Sequence, residues 1–357
     1  MSTLHCQSVI AQFFNPVEVI EVKPFGSGHI NDTYLVKTTG ESFILQRVNQ
    51  NVFDTTALVN NYNILNKAVE KYQKESGLSL TPKILRTHQG IYHFIDNKGF
   101  AWRKVEFLPG SKSYDITTDT SISFAAAEAY GKFQLFLNTL DAGSFEDTIP
   151  QFHHPENRMK QFEKAKKNAL AELLSKAESE ITTVEKFKSV GMEITDLLNS
   201  GKLPQRLSHY DTKLNNVIFY AGRPYVIDLD TVMRGTVLFD FGDMVRTFTS
   251  PAAEDEPNID KTIFRLDHFK ALAKGYLGVL KDEISNIEKQ NLLLGAKAII
   301  YEQSLRFLSD YLNGNIYYKT AYPEHNLVRC RTQLKLLAEI KKNESKALHI
   351  INDVVNL

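Results

Sequence analysis

The sequence predicts an α+β protein of two lobes, residues 1–108 forming a small β-rich lobe and residues 109–357 a large, mainly helical one. Short β-branched runs separated by turn signals fill roughly the first 115 residues. Long stretches with apolar side chains at every third or fourth position fill the rest. Between the two stands Leu108-Pro109-Gly110-Ser111, a turn-forming cluster at the point where the character changes.

Within the first lobe, residues 17–22 alternate and are β-branched, and residues 33–37 and 42–48 repeat the pattern around Thr39-Gly40. That spacing predicts a three-stranded antiparallel meander. Over residues 55–74, Leu58, Tyr62, Leu65, Val69 and Tyr72 recur at helical spacing and predict one amphipathic helix. Residues 83–86, 91–95 and 100–107 supply further strands, with turns at Gln89-Gly90 and Asn97-Lys98-Gly99. In the second lobe, helices are expected over residues 119–140, 156–176, 181–199, 260–281, 283–313 and 324–342. A short hairpin over residues 217–220 and 225–229 interrupts them, turning at Ala221-Gly222-Arg223-Pro224.

Bulk properties exclude several classes. A composition of 43% hydrophobic and 24% charged residues is that of an ordinary globular protein. Lys plus Arg equals Asp plus Glu at 42 each, so net charge gives no reason to expect a nucleic-acid or membrane partner. Two cysteines, Cys6 and Cys330, make no disulfide framework and suit a reducing compartment. The start MSTLHCQSVIAQFF lacks a basic segment followed by an apolar one, and no apolar run approaches the ~18–20 residues that span a bilayer. A cytoplasmic protein is expected.

The chemistry concentrates in LSHYDTKLNNVIF. His209, Asp211, Lys213 and Asn216 spell H-x-D-x-K-x-x-N, the spacing of the catalytic loop in kinase-fold phosphotransferases. A dozen residues on, an apolar strand ends in Ile227-Asp228-Leu229-Asp230. Moving a phosphoryl group calls for positioning and charge neutralisation more than for covalent chemistry. Asp211 is the candidate base, since an ionised carboxylate can orient an acceptor hydroxyl and take its proton. Asn216 would hold Mg²⁺ through its amide oxygen, Asp228 through its carboxylate, and Asp230 either joins them or serves a structural hydrogen bond. Lys213 could pair with the moving phosphoryl group, and His209 is expected to brace the loop.

Phe25-Gly26-Ser27-Gly28-His29-Ile30-Asn31 falls between two predicted strands. Gly26 and Gly28 would let backbone N–H groups approach phosphate closely, with Ser27 between them. The third strand, SFILQRVNQ, carries no Lys. Arg47 is the cation available there, with Gln46 as its neighbour, and alternation leaves open which of the two faces the phosphates. The following helix also lacks an early Glu; Asn60 and Asn61 occupy that region. The string Asp240-Phe241-Gly242 resembles a metal-binding motif but lacks a preceding strand, so Asp240 is expected to brace a helix. His153-His154 is expected to serve a loop. Arg306 and the aromatic stretch through Tyr318 have the polar and aromatic composition that suits sugar recognition.

LSHYDTKLNNVIF and YVIDLDTV resemble the aminoglycoside phosphotransferase and choline kinase superfamily. FGSGHINDTYLV, FILQRVNQ, AWRKVEFLPG, IDLDTVMRGTVLFDFGD, RFLSDYLNGNIYY and EHNLVRCRTQLKL are similar to blocks of the N-acetylhexosamine 1-kinases within it. The resemblance implies a protein-kinase-like bilobal fold and transfer of the ATP γ-phosphate, with Mg²⁺, to the anomeric hydroxyl of a sugar. It further implies that Asp211 is the base, that Asn216 and Asp228 are metal ligands, and that His29, Arg306 and Tyr317 contact sugar. The backbone near Glu106 and Leu108 would meet adenine. Tyr210 stands where many relatives carry a small residue. Kinases of choline, homoserine or an aminoglycoside, or a nucleotide-binding module without catalysis, are the alternatives.

Overall fold

The expected N-terminal meander is present. The structure, a computed structural model, describes residues 3–26 and 30–355. β1 (Val19–Pro24), β2 (Asp32–Thr38) and β3 (Ser42–Arg47) pair antiparallel, β2 and β3 in unbroken register from Asp32↔Arg47 to Lys37↔Ser42. β4 (Ile84–Leu85), β5 (Phe94–Ile95) and β6 (Ala101–Glu106) complete the sheet, with β6 pairing antiparallel to β3, β4 and β5. A helix the sequence did not announce, α1 (Thr3–Phe13), contributes Val9, Ile10 and Phe13 to one core cluster with Val36, Leu45 and Trp102. Eleven residues make too short a helix to be stable alone, so its face is defined by what it packs on.

α2 (Thr55–Ser76) starts at Asp54, whose carboxylate accepts the N–H groups of Thr56 and Ala57, and stops at Gly77 with φ 71°. Of the periodic set, Leu58, Tyr62 and Leu65 are buried and Val69 and Tyr72 half-buried, and Ala57, Asn61 and Asn66 join the buried face.

The chain divides into two compact units. The first is Met1–Lys112 with Leu140–Pro150 and Ile218–Arg234; the second is the remainder. In place of one cut at 108/109, two later segments return to the sheet-bearing unit, and hydrogen bonds explain why. In the hairpin β8 (Val217–Tyr220) and β9 (Arg223–Val226), Phe219 exchanges both backbone bonds with Lys112, at 2.8 and 3.0 Å. The Val226 N–H donates to the Leu80 carbonyl at 2.9 Å. Asn61 donates to the Glu146 carbonyl at 2.7 Å and accepts the Glu146 N–H at 2.9 Å. A buried Asn that serves two backbone groups cannot be exchanged for Glu without losing a donor, which accounts for the amide at this position.

The second unit is helical. α3 (Thr120–Leu137) follows its Asp119 cap. The two helices expected over 156–176 and 181–199 are each broken, giving α4 (Pro155–Asn168), α5 (Ala171–Lys176), α6 (Glu178–Lys186) and α7 (Lys188–Asn199). Ala169 and Leu170 are extended, with ψ 150° and 144°. Neither residue is a breaker, so the break had no local signal. After β7 (Arg206–Ser208) come α8 (Val237–Phe248), α9 (Leu266–Leu280), α10 (Asn286–Leu312), α11 (His325–Lys342) and α12 (Glu344–Val355). A capping box of Ser285 and Glu288 opens α10. α8 and α10 cross at bare backbone: a Cβ on Gly295 would lie 2.4 Å from the Leu238 carbonyl oxygen. Among the described residues no helix is long and apolar enough to cross a membrane.

Candidate active site

β7 delivers the loop that begins at His209. His209 is 1% exposed, its ring edge-on to Tyr130 and Phe133 at 5.5 and 5.9 Å, and its Nδ1 accepts the Asp211 N–H at 3.2 Å. Tyr210 adopts φ 65°, a left-handed conformation rare for a bulky residue. Its ring lies against Gly235, where a Cβ would come within 2.1 Å of it. Backbone strain of this kind persists only where the surroundings enforce it.

Asp240 is one of those surroundings. Its carboxylate accepts the N–H groups of His209 at 2.9 Å and Tyr210 at 2.8 Å, and its carbonyl accepts the Thr212 hydroxyl at 2.6 Å. Burial pushes its carboxyl up to about 7; the two backbone N–H groups and His153 oppose the rise, and Asp243 adds to it. Expected to cap or brace a helix, Asp240 lies within one and instead braces the loop from His209 to Thr212.

Asp211 then emerges with its side chain 18% exposed. One carboxylate oxygen receives the Lys213 ammonium at 3.0 Å and the Asn216 amide N–H at 2.9 Å. Burial alone would raise its carboxyl, but Lys213, with His209 and Arg246 behind it, outweighs this and holds it below the usual carboxylate range. Asp211 is therefore ionised at neutral pH. Asn216 also donates to the Asp211 carbonyl at 2.9 Å. Its amide nitrogen is committed, and its oxygen is the atom left with ligand chemistry.

In the sheet-bearing unit, β9 runs out into Asp228, which has φ 62° and ψ 58°. Asp tolerates this region better than most residues. Two residues on, Asp230 is 2% exposed and gripped by Arg103: Nη1 pairs with Oδ1, and Nη2 with Oδ2 at 3.0 Å. The Asn31 amide donates to the same Oδ2 at 2.7 Å. Both Asp230 oxygens are thus engaged within the protein. Burial opposes the charge on Arg103, but Asp230, Tyr62 and Asp228 more than compensate and hold it firmly protonated.

Residues 21–272, more than two thirds of the chain, match the phosphotransferase enzyme family. This chain belongs to that family. Solved structures agree on the fold. A microcompartment-associated aminopropanol kinase superposes with TM-score 0.66 at 14% identity, covering 96% of this chain and 98% of its own. An amicoumacin kinase in complex with AMP-PNP, Ca²⁺ and Ami gives 0.60 at 14%, covering 94% and 93%. An aminoglycoside phosphotransferase from Alicyclobacillus acidocaldarius gives 0.63 at 13%, covering 98% and 96%. The phosphotransferase thus has the kinase-like architecture of a small antiparallel sheet lobe and a larger helical lobe.

The remaining candidates of this phosphotransferase are distributed as follows. Gly26 has φ 78°, while Ser27, Gly28 and His29 lie outside the described residues. Strand alternation puts Gln46 and Arg47 on opposite faces. Gln46 accepts from Arg103 Nε at 2.9 Å, so it shares the side of Asp230. Arg47 instead pairs with Asp32 through Nε at 2.8 Å and covers the Phe100 ring at 4.6 Å. The buried cation beside Asp230 is accordingly Arg103 of β6, which the sequence reading passed over. The pair Arg103-Lys104 between Trp102 and Val105 on a central strand was the signal for it, since alternation sends the two to opposite faces. Glu106 accepts the Lys83 N–H at 3.0 Å, and Leu108 is buried with its carbonyl accepting the Ser111 N–H at 3.1 Å.

Arg306 lies over the Phe152 and Tyr318 rings at 5.3 and 5.7 Å and donates to Gln303 at 3.1 Å. Tyr317 is 61% exposed. Asp310 orders its loop by accepting the N–H groups of Tyr317 and Tyr318 at 2.8 and 3.0 Å. A second guanidinium, Arg158, is near; burial first and Arg306 second push its ionisation down.

Proposed function

We propose that this phosphotransferase is an ATP- and Mg²⁺-dependent kinase that phosphorylates the anomeric hydroxyl of an N-acetylhexosamine, N-acetylglucosamine or N-acetylgalactosamine, in cytoplasmic amino-sugar metabolism. One observation carries the chemistry: an ionised, partly exposed Asp211, fixed by Lys213 and Asn216 on a strained loop. A carboxylate so held orients an acceptor hydroxyl and takes its proton as the bond to phosphorus forms. Lys213 balances charge on the moving phosphoryl group.

Asn216 and Asp228 hold the Mg²⁺ in this reading. Both offer hard oxygen donors of the kind Mg²⁺ prefers, and the amide nitrogen of Asn216 is already turned to Asp211. Mg²⁺, when bound, neutralises the phosphate oxygens. Asp230, its oxygens taken by Arg103 and Asn31, braces the stretch after Asp228. Gly26, Ser27 and Gly28 cover the phosphates, and the backbone near Glu106 and Leu108 receives adenine. The AMP-PNP and Ca²⁺ complex of a structural neighbour supports a nucleotide with a divalent ion.

The acceptor assignment rests on Arg306 and Tyr317, with His29. Two neighbouring guanidiniums, Arg306 and Arg158, disfavour a cationic acceptor such as choline or an aminoglycoside and suit a neutral polyol. An ADP-release panel over N-acetylhexosamines, choline, homoserine and aminoglycosides tests this directly. Turnover is expected on the N-acetylhexosamines. Turnover confined to choline overturns the sugar assignment, and Mg·ATP binding without turnover on any acceptor overturns catalysis.

A further inference from the structure

A chain of buried polar groups behind the catalytic loop has a job that the motif does not account for. His153 places Nδ1 3.0 Å from Glu302 Oε1 and Nε2 3.0 Å from the Tyr210 carbonyl oxygen. The carbonyl can only accept, so Nε2 carries a proton. Glu302 is 1% exposed, and the Arg158 Nε stands 3.7 Å from the same Oε1. Both ring nitrogens face acceptors.

We propose that His153, oriented by Glu302, is a positioning residue for Asp211. It fixes the Tyr210 carbonyl and thereby the peptide that leads into the base. This rests on the reading of Asp211 as the reacting carboxylate.

Three features support it. Tyr210 has φ 65°, a conformation its bulky side chain does not choose unaided, so the carbonyl orientation has to be imposed. The imposition comes from both ends: Asp240 takes the Tyr210 N–H at 2.8 Å, and His153 donates to the carbonyl. The imidazole is itself immobilised, edge-on to Tyr210 at 5.0 Å and tilted against Phe152 and Phe239 at 4.3 and 5.5 Å. The charged groups facing it are Glu302 from α10, Arg158 from α4 and Asp240 from α8.

A buried His–Glu pair could instead serve only to join α10 to the segment before α4, so the test must separate the two. Nitrogen-15 NMR of His-labelled wild type reads the ring directly and needs no acceptor. A proton on His153 Nε2 at pH 7 is expected, and an Nε2 without one overturns the proposal. That result stands apart from the acceptor assignment, which the ADP-release panel decides. In His153→Ala we expect kcat to fall about ten- to a hundredfold, with the KM for Mg·ATP changed less than about twofold and faster amide exchange at Asp211. A kcat within twofold of wild type in the folded variant overturns it. So does a fall that only tracks the folded fraction. If His153→Ala does not fold, Glu302→Gln decides: kcat should fall with KM for Mg·ATP unchanged, whereas a kcat within twofold of wild type overturns the proposal. His153→Ala/Glu302→Gln should be no worse than His153→Ala alone, because the two act as one unit.

Discussion

At the scale of residues, charge placement does most of the work. Asp211 stays ionised although burial opposes it, because Lys213 sits 3.0 Å away. Asp211→Asn is expected to lower turnover by about 10²–10⁴ while Mg·ATP still stabilises the protein against heat; near-normal turnover in that variant removes Asp211 from its role. The Arg103–Asp230 pair is the second concentration of charge, with side chains 5% and 1% exposed. Removing one partner of such a pair leaves the other unpaired in the interior, so Arg103→Met should cost about 3–5 kcal/mol in urea denaturation. Arg103→Met/Asp230→Leu should recover part of that loss. An additive, larger loss in the double variant contradicts this account of the pair.

At the scale of elements, α8 ties the catalytic loop to the helical unit. Asp240, near its start, is pushed up to about 7 by burial, from an ordinary 3.8. The sign follows from proton binding: between about pH 4 and pH 7 the unfolded chain has lost this proton and the folded chain keeps it. Stability should therefore fall as pH rises through that window and level off above about 7. Asp240→Asn should be less stable overall, since an amide cannot accept both N–H groups, but flatter with pH; urea midpoints at pH 4.5, 6 and 8 compare the slopes, and equal slopes contradict it. α8 also depends on close approach to α10. Gly295→Ala would force a Cβ to within 2.4 Å of the Leu238 carbonyl, and overpacking of this kind costs about 1–3 kcal/mol. A wild-type melting temperature in that variant shows that α8 has room to shift.

At the scale of the whole molecule, the sheet-bearing unit is not a continuous piece of chain. It takes in Leu140–Pro150 and Ile218–Arg234 from far downstream. Asn61 needs Glu146, Phe219 pairs with Lys112, and Arg103 needs Asp230. Residues 1–112 expressed alone would carry a buried Arg103 without its carboxylate and a buried Asn61 without its backbone partners. We expect that fragment to be unfolded by far-UV circular dichroism and amide dispersion; a cooperative thermal transition in it would overturn this expectation.

Much of this was legible in the sequence, because local signals are short-range. Alternation gave the meander, and helical spacing gave α2. The spacing of His209, Asp211, Lys213 and Asn216 placed four side chains on one loop, and the bonds among them follow. Elements whose cause is tertiary were not legible: α1 forms where its apolar face meets the sheet, and the breaks at Ala169–Leu170 and near Phe187 carry no Gly or Pro. The sequence by itself determined the fold class, which is written in periodicity, and which side chains share the loop, which is written in spacing. Only the tertiary structure decided which cation meets which acid. Arg47 and Arg103 lie 56 positions apart in sequence and on adjacent strands in space, and a carboxylate selects its partner by distance and burial, not by order along the chain.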